Sequence, residues 1–135
     1  LEDLGCRVWS HPALTPFLKS SYDRLFLLRT IREFEHAGEQ RPERSLFGAD
    51  LDKAMGRAMI RPMLDGCDIA DNIRRHVHFL KTEGFADLFF TLDLFFGWQA
   101  AMAKDLMDSG FVPAYVLPYA GAADLVVFHH GLPSA

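Results

Sequence analysis

The chain has 135 residues, half of them apolar and 24% charged, and a formal charge of -4, enough material for one ordinary core and too apolar for a disordered segment. Its 14 Lys and Arg are scattered without a run of five or six, so the electrostatic footprint of a nucleic-acid binder is missing. The most apolar stretch, Leu88 to Ala103, is shorter than a bilayer span and carries Asp93, so neither nucleic acid nor a membrane is an expected partner.

Cys6 and Cys67 show no paired spacing, which argues against a disulfide framework or a zinc ribbon and fits a soluble protein in a reducing cytoplasm. The chain opens on Leu1 with no methionine or leader pattern, as expected of a piece processed or excised from something longer.

In chain order, Ser10 and Pro12 stand where a helix cap and first turn belong. Leu25, Leu28, Ile31 and Phe34 then recur at helical spacing with Gly38 as a stop, which predicts a helix over 22–38. The run from Leu25 to Leu28 also suits a buried strand, and periodicity does not choose between the two. Residues 38–45, polar and proline-containing, read as an exposed connection and an internal boundary. The expected division is therefore a helical segment over 1–44 and an α/β domain over 45–135.

Beyond the boundary, "SLF" and "AMIRPML" read as strands, with Pro62 confining the second to an edge or a bulge. Ile69, Ile73, His76 or Val77, and Leu80 mark one face of a helix ended by Gly84. "ADLFFTLDL" reads as a strand covered on both faces. Trp98, Met102 and Leu106 line a further helix ended by Gly110, and "FVPAYVLPY" and "DLVVFHH" form a closing hairpin around "AGAA". A helical crossover makes the first two of these later strands parallel. The expected fold class is a mixed α/β sheet with crossover helices and a C-terminal antiparallel hairpin. The hairpin, at Asp124 to His130, is expected to form the exposed edge where a second subunit would pair in a homodimer.

From about residue 58 onward this succession resembles the GNAT acyltransferase fold. The likeness is strongest over "LMDSGFVPAYVLPYAGAADLVVFHHG", where a helix ends in Gly110-Phe111, a strand follows, and an apolar strand introduced by Asp124 closes the chain. It also resembles the degenerate GNAT-like halves of larger bacterial proteins. Leu1, Asp3 and Gly5 echo Leu106, Asp108 and Gly110, as they would if the chain began at the tail of a preceding similar unit.

The resemblance implies an acyl-CoA, such as acetyl-CoA, held by a glycine-containing loop that leads into a helix, where backbone N–H groups and the helix N-terminus face a pyrophosphate. The corresponding place is Arg61 to Asn72. It offers Gly66 alone, at the wrong spacing from Arg61, and Asp65, Asp68 and Asp71 crowd the helix start, which favours a self-capped helix. The position of the family's acidic tyrosine is occupied by Leu106, which donates no proton. Tyr115 and Tyr119 lie nearby in sequence.

For a small-molecule ligand the candidates are Gly66, Arg74, Arg75 and Tyr119, with Arg74 and Arg75 able to oppose the aspartates. Cys67 at the helix start is a conceivable nucleophile flanked by Asp65 and Asp68, or a small buried residue. His76 and His78 point apart on a helix, and His129 and His130 point to opposite faces of a strand, so no metal site is expected. The two functional expectations are a GNAT-like ligand-binding, regulatory or assembly module lacking the standard loop and acid, and a divergent acyl-CoA-dependent N-acyltransferase.

Overall fold

The computed structural model describes residues 7–130. Cys6 and the pentapeptide holding Leu1, Asp3 and Gly5 lie outside the described residues. The sequence runs through β1 (Arg7–Ser10), α1 (Thr15–Leu25), β2 (Thr30–Glu33), β3 (Leu46–Asp52), β4 (Arg57–Leu64), α2 (Ile69–Thr82), β5 (Asp87–Asp93), α3 (Gly97–Ala100), α4 (Ala103–Asp108), β6 (Val112–Leu117) and β7 (Leu125–His130).

Five strands form one mixed sheet in the order β3-β4-β5-β7-β6. As expected from the crossover helix, β4 and β5 are parallel, with Ala58 opposite Leu88 and Ile60 opposite Phe90, and β6 and β7 are antiparallel. Pro62 sits opposite Phe47, beside a register shift at Leu46/Phe47 and beyond the last residue of β4 that pairs with β5. A residue without an N–H is tolerated at such a bulge. The closing hairpin folds back so that β7 lies between β5 and β6. This corrects the expectation of an edge at Asp124 to His130: Val126, Val127, Phe128 and His129 are buried, and the free edge belongs to β6.

Ala58, Ile60, Leu88, Phe90, Leu92, Val116, Val126 and Phe128 share one face of the sheet and are all buried. Against that face pack Ile69, Ile73 and Leu80 of α2, Leu106 of α4, and Phe111, whose ring meets Phe90 edge-on at 6.0 Å. Burying a side chain of this size contributes about 1.5–3 kcal/mol. The other face is more open: Met59, Tyr115 and Leu117 are exposed and Phe89 is only partly covered, although Val127 and His129 of the inner strand β7 are buried there. The expected two-sided cover of β5 is corrected to a full cover on one face and a partial one on the other, because its burial alternates between buried and half-buried residue by residue.

Two of the three expected glycine stops close a helix, while Gly38 lies in the connection between β2 and β3. Gly84 and Gly110 take positive φ, and in each case the following N–H reaches back to a helical carbonyl (Phe85 to Leu80, Phe111 to Leu106), closing the last turn. The helix lined by Trp98, Met102 and Leu106 is divided into α3 and α4 by a turn at Ala101 and Met102.

The expected helix over 22–38 is not formed. α1 ends at Leu25, and Phe26 adopts the left-handed conformation (φ 55) with its N–H on the Asp23 carbonyl. Beyond it Leu28 is exposed and Ile31 belongs to β2, so the regular spacing of those residues does not describe one buried stripe. Nor is Leu25 to Leu28 a buried strand. Ser10 does not cap a helix either. It is a buried strand residue whose Oγ donates to the His11 carbonyl, while α1 begins at Thr15 with Pro16 in its first turn.

The N-terminal segment is a small β-α-β unit, in which α1 crosses between the parallel strands β1 and β2. It is tied to the main sheet by the Trp9 N–H on the Leu94 carbonyl at 2.9 Å.

Candidate functional site at the start of helix α2

The segment from Arg61 to Asn72 leaves β4, passes Gly66 and enters α2, so it lies at the carboxyl end of a parallel strand, where open α/β sheets characteristically bind ligands. What faces it is the polar connection that precedes β3. Arg41 grips Asp65 with two nitrogens, Nη2 to Oδ1 at 2.9 Å and Nε to Oδ2 at 3.1 Å, and also donates to the Gly66 carbonyl at 2.7 Å. This hydrogen bond to Asp65 holds the guanidinium pKa above its ordinary value against the opposing effect of burial.

Backbone donors that a phosphate would need are already used here. The Gly66 N–H donates to Asp65 Oδ1 at 2.8 Å, and the Cys67 N–H donates to the Pro42 carbonyl at 2.8 Å. Gly66 is required by close approach: a Cβ at this position would collide with the backbone of Arg44 and Ser45. Its lack of a side chain admits the chain's own loop.

Asp68 completes the closure. Its Oδ1 accepts from the Ser45 N–H and from Ser45 Oγ, both at 2.6 Å, and Asn72 Nδ2 donates to Ser45 Oγ at 2.9 Å. Burial pushes the Asp68 carboxyl up, yet the Ser45 hydrogen bonds and Arg75 together bring it below its ordinary value. The expected self-capping is corrected in detail: the Asp68 carboxylate holds the Ser45 loop, and no side chain caps the first turn of α2.

Arg74 and Arg75 are brought to this end of α2 with Gly66, and both are engaged, Arg74 with Asp71 and Arg75 with Asp68 at 3.3 Å. Arg74 lines a separate cavity with His78 and Lys81, whereas a cavity of about 530 Å³ opens beside Arg75, lined by Glu43, Arg44, Cys67, Asp68, Asp71 and Arg75. Three carboxylates against two guanidiniums make it a poor host for a polyanion. The Cys67 thiol is exposed rather than buried, 3.7 Å from the Arg41 carbonyl.

Tyr119 does not join these residues. It lies in the β6–β7 connection, where its N–H donates to Asp124 Oδ1 at 2.9 Å and its ring faces the Arg29 guanidinium at 4.8 Å. Tyr115 is on the open sheet face and Leu106 is fully buried in the core.

The histidines also separate. His76 contacts the Asn72 carbonyl and the Phe47 ring, while His78 is exposed. His129 stacks on Phe89 on one face of the sheet and His130 meets Phe111 on the other. Among the described residues no three potential ligands converge on a metal position, and no helix is long and apolar enough to cross a membrane.

A second polar centre escaped the sequence reading. Asp124 accepts from Tyr22 Oη at 2.6 Å and Arg29 Nε at 2.8 Å, with both ion-pair side chains 2% exposed. Burial raises the Asp124 carboxyl, but the hydrogen bonds from Arg29, Tyr22 and the Tyr119 N–H outweigh it and the net shift is downward. The Tyr22 hydroxyl is raised, by burial first and then by its hydrogen bond to Asp124. Asp124 was legible only as the residue introducing the closing strand; partners 95 and 102 positions away leave no local signal.

No family model and no curated protein matches this sequence.

Proposed function

We propose that the chain is a GNAT-like ligand-binding, regulatory or assembly module that does not carry out acyl transfer. The succession strand, helix, strand, helix, strand, strand from Arg57, with its parallel pair bridged by α2, supports the GNAT-like reading of the fold. The observation that carries the functional reading is the loop from Arg41 to Ser45 seated over Gly66, with the Gly66 and Cys67 N–H groups spent within the chain. A pyrophosphate arriving there would have to displace Asp65 and Asp68 from their partners.

One observation favours the second reading, a divergent acyl-CoA-dependent N-acyltransferase: the first turn of α2 has no side-chain cap and borders the 530 Å³ cavity, with Arg44 and Arg75 on its wall. Isothermal titration with acetyl-CoA and CoA separates the two. The module reading expects no saturable heat with either compound. Micromolar binding that disappears in Arg74→Ala/Arg75→Ala would transfer support to the enzyme.

A further inference from the structure

We propose that the exposed face of β1 and β2 is a binding site for a planar aromatic ring carrying a phosphate or carboxylate, with Arg7 and Arg32 taking the anion and Trp9 and Phe95 taking the ring. This site lies outside the region of GNAT-like resemblance and is independent of the reading given for α2.

The strand alternation builds the face. Val8 and Ser10 turn into the core, which leaves Arg7 and Trp9 on the outer side of β1. The parallel register sets Trp9 opposite Arg32 and Arg7 opposite Thr30, so the two arginines stand one rung apart on neighbouring strands. With strands about 4.8 Å apart and two residues spanning about 6.6 Å, their Cα atoms lie about 8 Å from one another, a separation at which two long side chains converge on one small anion.

The Arg32 guanidinium lies over the Trp9 ring, 4.9 Å from its centroid, a cation–π contact that holds the cation beside the ring without using its N–H donors on a carboxylate. Trp9 is itself fixed by an edge contact with Phe34 at 5.7 Å and by its backbone bond to Leu94. Across from them Phe95, 55% exposed, and Ala122 complete a cavity of about 410 Å³, within the range that holds small ligands.

The charge balance here is the reverse of that at α2. Neither Arg7 nor Arg32 forms an ion pair with a carboxylate among the described residues. The acids nearby have other partners: Glu33 accepts from Thr15 at 2.8 Å, Glu35 pairs with His11 at 3.3 Å, and Asp93 accepts from the N–H groups of Phe95, Ala122 and Ala123. Two guanidiniums beside two aromatic rings, with no carboxylate among the described residues of the lining, match a ligand that is planar at one end and anionic at the other.

The chain has two tryptophans, so a Trp98→Phe variant reports on Trp9 alone. The expected result is saturable quenching of Trp9 fluorescence by AMP or by benzoate, which separates a phosphate-bearing from a carboxylate-bearing ligand. Arg7→Ala/Arg32→Ala in that background is expected to weaken quenching at least about tenfold, as for loss of charge-assisted hydrogen bonds, with an unchanged circular dichroism spectrum. Arg32→Lys is expected to restore only part of it, since an ammonium keeps the charge without the planar stack. Inorganic phosphate and adenosine alone should each bind more weakly than AMP. The proposal is overturned if neither AMP nor benzoate quenches saturably, or if the double variant, still folded, binds as well as its parent.

Discussion

Asp68 and Asp124 each gather backbone and side-chain donors from a distant part of the chain, and they differ in where the gathering happens. Asp124 and its partner Arg29 are both 2% exposed, with Tyr22 and the Tyr119 N–H filling the remaining acceptor positions. Asp68 is 19% exposed, and Arg75, its ion-pair partner, is 63% exposed. Coulomb attraction is strong in the first place and screened in the second, while the cost of leaving a partner uncompensated is large in the first and small in the second. The same residue type therefore fastens the fold at one corner and merely closes a surface loop at the other.

The largest expected effect breaks the buried corner. Asp124→Ala should destabilise the chain by about 3–5 kcal/mol, because it strands a buried guanidinium. Urea denaturation checks this, and a loss no larger than that of a surface variant would count against the assignment. The corner is also expected to respond to acid. With a folded pKa below the unfolded value of about 3.9, Asp124 contributes stability that is complete above that value and lost as pH falls through the folded one. The urea midpoint should accordingly fall steeply below about pH 4 in the parent, and less steeply in Asp124→Asn.

At the surface corner Gly66→Ala is expected to cost about 1–3 kcal/mol, since the added methyl group must push the Arg44–Ser45 backbone away. Asp68→Ala should cost about 1 kcal/mol through the loss of its Ser45 hydrogen bonds. Arg74→Ala, whose partner Asp71 is equally exposed, should stay within about 0.5 kcal/mol of the parent. If Asp68→Ala proved as damaging as Asp124→Ala, burial would not be what distinguishes the two carboxylates.

Much of the sheet was legible because its rules are local. The period of Ile69, Ile73 and Leu80, the glycines at 84 and 110, and the crossover between two apolar runs are sufficient for β4-α2-β5 and for the antiparallel hairpin. Local rules ran out wherever a long-range partner decided. The place of β7 inside the sheet depends on its pairing with β5, 32 to 42 residues earlier, and leaves no mark in "DLVVFHH" itself. Phe26 ends α1 in a conformation that is ordinarily glycine's, so no stop signal stood where the helix stops. At the candidate site the crowding aspartates were legible as obstacles to an anion. That Ser45 and Arg41 would be their partners was not, because those residues sit in a stretch that reads only as a polar connection.

The measurement closest to the central claim is amide hydrogen exchange at Gly66 and Cys67, with and without CoA. Both N–H groups donate to acceptors within the chain, so the account predicts protection in the free protein and no change when CoA is added. Exchange at unprotected rates in the free protein, with protection appearing on addition of CoA, would contradict it and show an anion site standing open at the start of α2.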